Sequence, residues 1–346
     1  MRALVSMSLI SAFLLAVPGG PRLRAEDQSK VMIKVSTIQA RTPDNVLEDR
    51  RVNERLAQAT GGRVQYRRYY GGTQGDDKTA FRKMRAGQID GALIGVDVVS
   101  QVVRQCTVTM APQTFSNWKQ VDAARAALQP EFDEEAYKNG FKVIGWFDLG
   151  QARLFSKYPI KTFDDVRKGR PWLYPENAPL KEFYKIIHAT GIPLDLNEVY
   201  GGLSTNMIDS VWISPVLGAQ LMWVSKTQFV SSQVAAVIQG AFLVRRPTWE
   251  GLSKSDQDGA LGVFHDQLDN TRKKSREDDD RVYTRLLSRG VKAVDWDNVE
   301  VWRDVGKQIS RNLIGRTYSQ AMFDRVQTIV KENPDAPPAA GGRPRS

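Results

Sequence analysis

The stretch VMIKVSTIQARTPDNVLEDRRVNERLAQATGGRVQYRRYYGGTQGDDKTAFRKMRAGQIDGALI, residues 31–94, decides the fold. Val31 to Ser36 alternates apolar and polar residues as a half-buried strand does, and Thr42-Pro43-Asp44-Asn45 opens a helix that Gly61-Gly62 stops just after Thr60. Arg63 to Tyr70 reads as a second strand, Gly71-Gly72-Thr73-Gln74-Gly75 as a loop, and Asp76 as the cap of a helix through Ala86. After Gly87, Asp90 to Ile94 is a short buried strand. An order of β-α-β-α-β is the signature of a parallel sheet with helical crossovers.

Outward from this unit the pattern recurs. Trp118 to Asn139 is predicted helical with a break at Pro130, and Phe141 to Trp146 is an apolar strand. Strands follow at Trp172 to Tyr174, Ile192 to Leu196 and Val211 to Ile213, alternating with helices at Ala178 to Thr190, Asn197 to Met207 and Val216 to Ser225. Two α/β units therefore stand in succession, with linkers expected near Gln151 to Phe163 and near Gln233 to Val244. Lys254 to Arg289 forms one or two long helices, Val291 to Val294 a short strand, and Val299 to Glu332 terminal helices. The Pro-, Ala- and Gly-rich tail from Asn333 reads as disordered.

At the other end, Arg2 precedes the uncharged run Ala3 to Val17, and Pro18-Gly19-Gly20 follows. This is a secretory signal, with cleavage expected after Ala25. Its apolar stretch falls short of the roughly 20 residues that span a bilayer. The single Cys106 excludes an internal disulfide and lies far from the cleavage point, so no lipid attachment through Cys is expected there. The formal net charge is +10, yet the cations are interspersed with carboxylates, as in Lys273 to Arg281, where Glu277, Asp278, Asp279 and Asp280 sit among Lys273, Lys274 and Arg276. That is a solvated helix face, and no nucleic-acid partner is expected.

Catalytic machinery is sparse. The two histidines, His188 and His265, fall in helical segments without ligand spacing, and Cys106 beside Thr107 and Val108 reads as a buried strand residue. Gly71, Gly72 and Gly75 match neither a P-loop nor a dinucleotide fingerprint. No cofactor and no metal is expected. The aromatics carry more information: Trp172, Tyr174, Trp212 and Trp223 fall at or near strand ends of the second unit, where an open α/β sheet places its ligand crevice.

Several ordered motifs then join these parts: TGGRV at residues 60–64, YYGGTQGDD at 69–77, MRAGQID at 84–90, NGFKVIGWFDLG at 139–150, PIKTFDDVRKG at 159–169, LNEVYGGL at 196–203 and NMIDSVWISP at 206–215. In order and spacing the chain resembles the substrate-binding proteins of tripartite ATP-independent periplasmic (TRAP) transporters, the dicarboxylate-binding type of solute receptor, from about Val31 to Lys331. The resemblance implies an α/β fold of two lobes, each a mixed or parallel sheet flanked by helices, crossed by a long hinge helix. Lobe 1 is expected at 26–151 plus about 240–265, lobe 2 at 152–239 plus about 290–300, and hinge-crossing and C-terminal helices at 266–332, between a signal peptide at 1–25 and the tail at 333–346. It further implies no catalysis, a periplasmic location, a small-molecule ligand, a monomer, and docking to the permease subunits of a TRAP-type transporter. A receptor that presents its ligand to a membrane sensor, or an exported enzyme on the same scaffold, is the alternative.

One departure from the family pattern bears on the ligand. Members that bind organic acids hold the carboxylate with an Arg in a K-I-R-V-P strand, because a guanidinium donates two parallel hydrogen bonds. Alignment on Gly169 and Pro175 puts Leu173 there, and a second Arg of a G-F-R segment aligns with Ala152. Arg153, one residue on, points to the opposite face of a strand. The expected ligand is therefore neutral or largely apolar, resting on Trp172, Leu173, Tyr174 and Trp212, or else an acid held by Arg153. Gln39, Gln151 and Ser214 complete the candidate site.

Overall fold

The computed structural model describes residues 30–334. The expected signal peptide and nearly all of the tail lie outside the described residues. The first unit forms as its sequence requires. β1 (Val31–Ser36) is followed by α1 (Pro43–Thr60), β2 (Val64–Tyr69), α2 (Asp77–Arg85) and β3 (Gly91–Gly95). Thr42 caps α1 by accepting the Asn45 N–H, and Gly61 ends it at a left-handed φ of 60° that favours glycine. β1 is central, pairing in parallel with β2 on one side and β3 on the other.

A short helix α3 (Val96–Val99) and a 3-10 turn (Arg104–Met110) lead to α4 (Trp118–Lys138). Cys106 lies in that turn rather than in a strand, fully buried. α4 runs through Pro130 where a break was expected, because Val121, Ala124, Leu128, Phe132 and Ala136 bury one face on both sides of the proline. β4 (Phe141–Ser156) then crosses the molecule. The second unit comprises α5 (Phe163–Lys168), β5 (Trp172–Leu173), α6 (Ala178–Ile186), β6 (Ile192–Pro193), α7 (Val199–Ser204), β7 (Ser210–Ile213), α8 (Pro215–Gln220) and β8 (Phe229–Ser231). His188 stands just beyond α6 at a positive φ of 54°, outside the helix in which it was expected. β9 (Ala236–Arg245), α9 (Arg246–Glu250), α10 (Lys254–Ser288), β10 (Lys292–Val294), α11 (Val299–Asn312) and α12 (Gln320–Glu332) complete the chain.

The main sheet has the order β10-β8-β4-β9-β3-β1-β2, with β7 also paired to β4, while β5 and β6 form a small parallel pair of their own. Both stretches expected as linkers thus contain strand. β4 continues past Gln151 to Ser156, and β9 occupies most of 233–244. They pair antiparallel from Phe141 opposite Arg245 to Ala152 opposite Ala236, with irregularities at Val143/Gly145 and Asp148/Gly150. A bulge bends a strand without ending it. Gly150 permits the second one with φ 101°, and a Cβ there would sit 2.5 Å from the Asp279 Oδ1.

α10 is one helix of 35 residues that lies along both units. Near its start Asp256 accepts two hydrogen bonds from Arg63 (2.7 and 2.9 Å), and near its end the Asp279 carboxylate accepts the Gln151 N–H (2.8 Å) and the Val216 N–H (3.0 Å). Between them Arg276 holds both Asp122 of α4 and Asp148 of β4, the latter at 2.6 Å, with its guanidinium 4.4 Å from the centre of the Trp118 ring. Asp148 is fully buried and also pairs with Arg125. Removing it leaves the two guanidinium groups, one of them well buried, with only the half-exposed Asp122 between them. Asp148→Ala should therefore cost about 3 to 5 kcal/mol, read as a lower midpoint in urea unfolding.

Candidate functional site

A cavity of ≈160 Å³ lies where the two units face each other across β4 and β9. That is about the volume of a site that takes one benzene-sized ring. Leu149, Ala152, Ala236 and Ile238 of the two crossing strands form its floor. One wall is aromatic. Trp172 and Tyr174 stack with ring centroids 5.9 Å apart, and Trp296 lies on Trp302 at 4.2 Å with planes 10° apart. Phe183 and Trp212 fill the space between, edge to face at 5.7 Å.

These rings are fixed before any ligand arrives. Trp172 Nε1 donates to the Leu194 carbonyl (2.9 Å), and the Tyr184 hydroxyl donates to the Trp172 carbonyl (2.8 Å). Rings held in this way lose little freedom when they bind. Idle donors stand in the wall, among them the buried Tyr174 hydroxyl and Trp296 Nε1, which have no hydrogen-bond partner. An unpaired buried donor costs free energy that a ligand acceptor recovers.

The opposite end of the cavity is supplied by the first unit and is acidic. Asp77 begins α2 and accepts the Gly95 N–H (2.8 Å), while Asp97 follows β3 with a buried, unpartnered Oδ1. Burial pushes the Asp77 carboxyl up to about 7, against the Gly95 N–H and with help from Asp76. Asp97 also rises to about 7, first through burial and then through the negative charges of Asp77 and Glu176. Tyr174 is pushed far up by burial and by the same carboxylates. Among the described residues that line the cavity there is no Lys, Arg or His.

Residues 45–316 match the bacterial extracellular solute-binding proteins of family 7, the DctP type. The chain belongs to this family. Its members are receptors that bind solutes and not enzymes, and no helix among the described residues is long and apolar enough to cross a membrane. A solute-binding protein of Chromohalobacter salexigens is 24% identical over 249 residues, covering 70% of this chain and 73% of that one. The 2,3-diketo-L-gulonate-binding periplasmic protein of Escherichia coli is 22% identical over 284 residues, covering 78% and 83%. Among solved structures, a TRAP periplasmic solute-binding protein from Anaerococcus prevotii with bound D-glucuronate superposes with a TM-score of 0.80 at 15% identity, covering 88% of this chain and 100% of that one. The two-lobed α/β fold expected from the sequence is that of these structures.

Of the residues singled out in the sequence, the receptor brings Trp172, Tyr174 and Trp212 together in the cavity wall. The other five stand elsewhere. Arg153 lies with its guanidinium 4.1 Å from the Tyr283 ring centre and donates to the carbonyls of Ser231 and Ser232. Ser214 is the fully buried cap of α8, and Gln151 is tied through its backbone to Asp279. Leu173 packs towards Gly191, since a Cβ at that glycine would meet its own Cβ at 2.7 Å. Gln39 accepts the Gly71 N–H through its carbonyl and sits in a turn with Thr37. The sequence reading missed Asp77, Asp97, Phe183, Trp296 and Trp302. The two aspartates follow the strands of the first unit, where the same strand-end rule that found Trp172 applies. Trp302 carries no such signal, because it reaches the cavity only through tertiary packing of α11, whereas Trp296 stands two residues beyond β10, where the strand-end rule applies again.

The acidic end has a measurable consequence. A carboxyl near 3.8 in the unfolded chain and near 7 in the folded one adds stability that is complete at low pH and is lost as pH rises through about 7. Asp97→Asn keeps the shape and cannot ionise. The melting temperature of this variant relative to the natural protein should rise steadily between about pH 4 and about pH 7.5. An offset that stays constant across that range contradicts the assignment.

Proposed function

We propose that this receptor captures a small molecule that carries no carboxylate, closes on it as a monomer in the periplasm, and delivers it to the permease of a TRAP-type transporter. The observation that carries the reading is the cavity lining: six aromatic side chains, a floor of aliphatic groups and no cation. The position that aligns with the family's G-F-R arginine is Ala152, which places a methyl group in the floor. Binding an anion without that bidentate contact forfeits about 2 to 5 kcal/mol. The ligands named for the relatives, 2,3-diketo-L-gulonate and D-glucuronate, are acids, and those likenesses lend this choice no support. It rests on the walls alone. The delivery step rests on family membership, and transport in vesicles that hold the cognate permease tests it.

Native mass spectrometry of the protein purified without denaturation should show a retained molecule without an acid group. D-glucuronate, D-galacturonate and D-galactonate at millimolar concentration should leave the melting temperature unchanged. A rise of several degrees with any of these three removes the non-carboxylate reading and leaves the family assignment intact.

A further inference from the structure

Among the described residues the acidic end of the cavity has no cationic counterpart. Asp77 and Asp97 line the same small space, and neither forms an ion pair among the described residues. The charged groups around them are accounted for. Asp76 caps α2 through the Thr79 N–H (2.9 Å), and Glu176 is paired with Lys78 (3.1 Å). Arg104 lines a separate groove on the far side of Asp97 and is committed to the Arg316 carbonyl. Beside the carboxylates Tyr174 is buried with its hydroxyl unpartnered, so the Asp97 Oδ1 and this hydroxyl are left without a mate, while Asp77 is met only by the Gly95 N–H. Opposite them stand aromatic side chains, whose ring faces carry negative quadrupoles.

The two carboxylates and the aromatic rings therefore favour positive charge, and the idle Trp296 Nε1 favours an acceptor elsewhere on the same ligand. We propose that the ligand is an organic cation, whose protonated amine or other positively charged nitrogen is held by Asp97 and Asp77 beside the Tyr174 hydroxyl, and whose hydrocarbon or ring body lies against Trp172, Trp212, Trp296 and Trp302. This deepens the reading of a receptor for a solute without a carboxylate and rests on it. A buried carboxylate gains most from a partner that is both charged and a hydrogen-bond donor, which an ammonium supplies and an alcohol does not. The aromatic faces accept the rest of the cation's surface at little desolvation cost. Anions meet repulsion from both carboxylates and from the rings.

The test compares three molecules of nearly equal size by isothermal titration calorimetry of the purified protein at pH 8: benzylamine, benzyl alcohol and benzoate. Benzylamine should bind at least about tenfold more tightly than benzyl alcohol, the ratio expected of a hydrogen bond to a charged group, and benzoate should give no binding. Asp97→Asn should narrow the ratio of benzylamine to benzyl alcohol affinity, since Asp77 alone then faces the ammonium. The natural protein supplies a readout independent of any variant, because its affinity for benzylamine should rise between pH 5.5 and pH 8 as the two carboxylates ionise, with benzyl alcohol flat over the same range. Equal affinity for amine and alcohol with benzoate silent overturns the cation and spares the non-carboxylate reading. Tightest binding by benzoate overturns both. Failure of benzylamine to bind at millimolar concentration overturns the cation as well.

Discussion

The antiparallel ladder between β4 and β9 is the constraint on which both halves of the molecule depend. It joins the sheet edge that carries β1, β2 and β3 to the one that carries β7, β8 and β10, so neither unit can be placed without it. Its residues serve two surfaces. Val143 and Trp146 are buried in the main core, while Leu149, Ala152, Ala236 and Ile238 form the cavity floor. The bend between these parts comes at Gly150, and the carboxylate of Asp279 fills the space that a side chain there would need. α10 is thereby anchored at the point where the strand changes direction, through backbone amides of β4 and α8 rather than through side chains that might exchange partners.

The same arrangement fixes where positive charge can be. Arg125 and Arg276 are held at Asp148 and Asp122 beneath α10, and Arg153 is spent on two carbonyls and a tyrosine face. A net positive chain thus presents a cavity without a cation, because its arginines serve the hinge helix and the outer surface. Net charge of the whole sequence said nothing about the sign of the field inside. What decides that sign is the local pair of carboxylates and the quadrupoles of the rings.

Much of the fold was legible because it rests on local signals. β1 and α1 follow from alternation, the Thr42 cap and the Gly61 stop, and the structure reproduces them almost residue for residue. β4 and β9 were shortened into linkers because a strand buried on both faces loses its alternation, and glycines inside it look like ends. Pro130 was weighed as a breaker by local rule and was overruled by the buried face of α4. In the site, Trp172, Tyr174 and Trp212 were found by their place at strand ends. Arg153 was chosen for its charge, and its true partners are carbonyls that only the tertiary fold brings near. Asp77 reads only as the first residue of the helix that Asp76 caps, since nothing local reveals that this end of one unit closes onto the aromatic wall of the other.

A scaffold shared with glucuronate-binding structures at 15% identity leaves the chemistry of its walls free to change. The cavity is built from strand ends, loop residues and one C-terminal helix, positions whose side chains contribute little to the sheet that defines the fold. Replacing a guanidinium by the methyl of Ala152 removes a buried charge, and with it the desolvation cost and the hydrogen-bond demands of that charge. Among the described residues the two carboxylates at the other end then become the only formal charges that line the space, and burial lifts both towards neutrality when nothing compensates them. Such a pair is stable empty in its protonated form and gains most from a partner that restores its charge. The unliganded receptor therefore stores, in its protonated aspartates, the preference that its ligand expresses on binding.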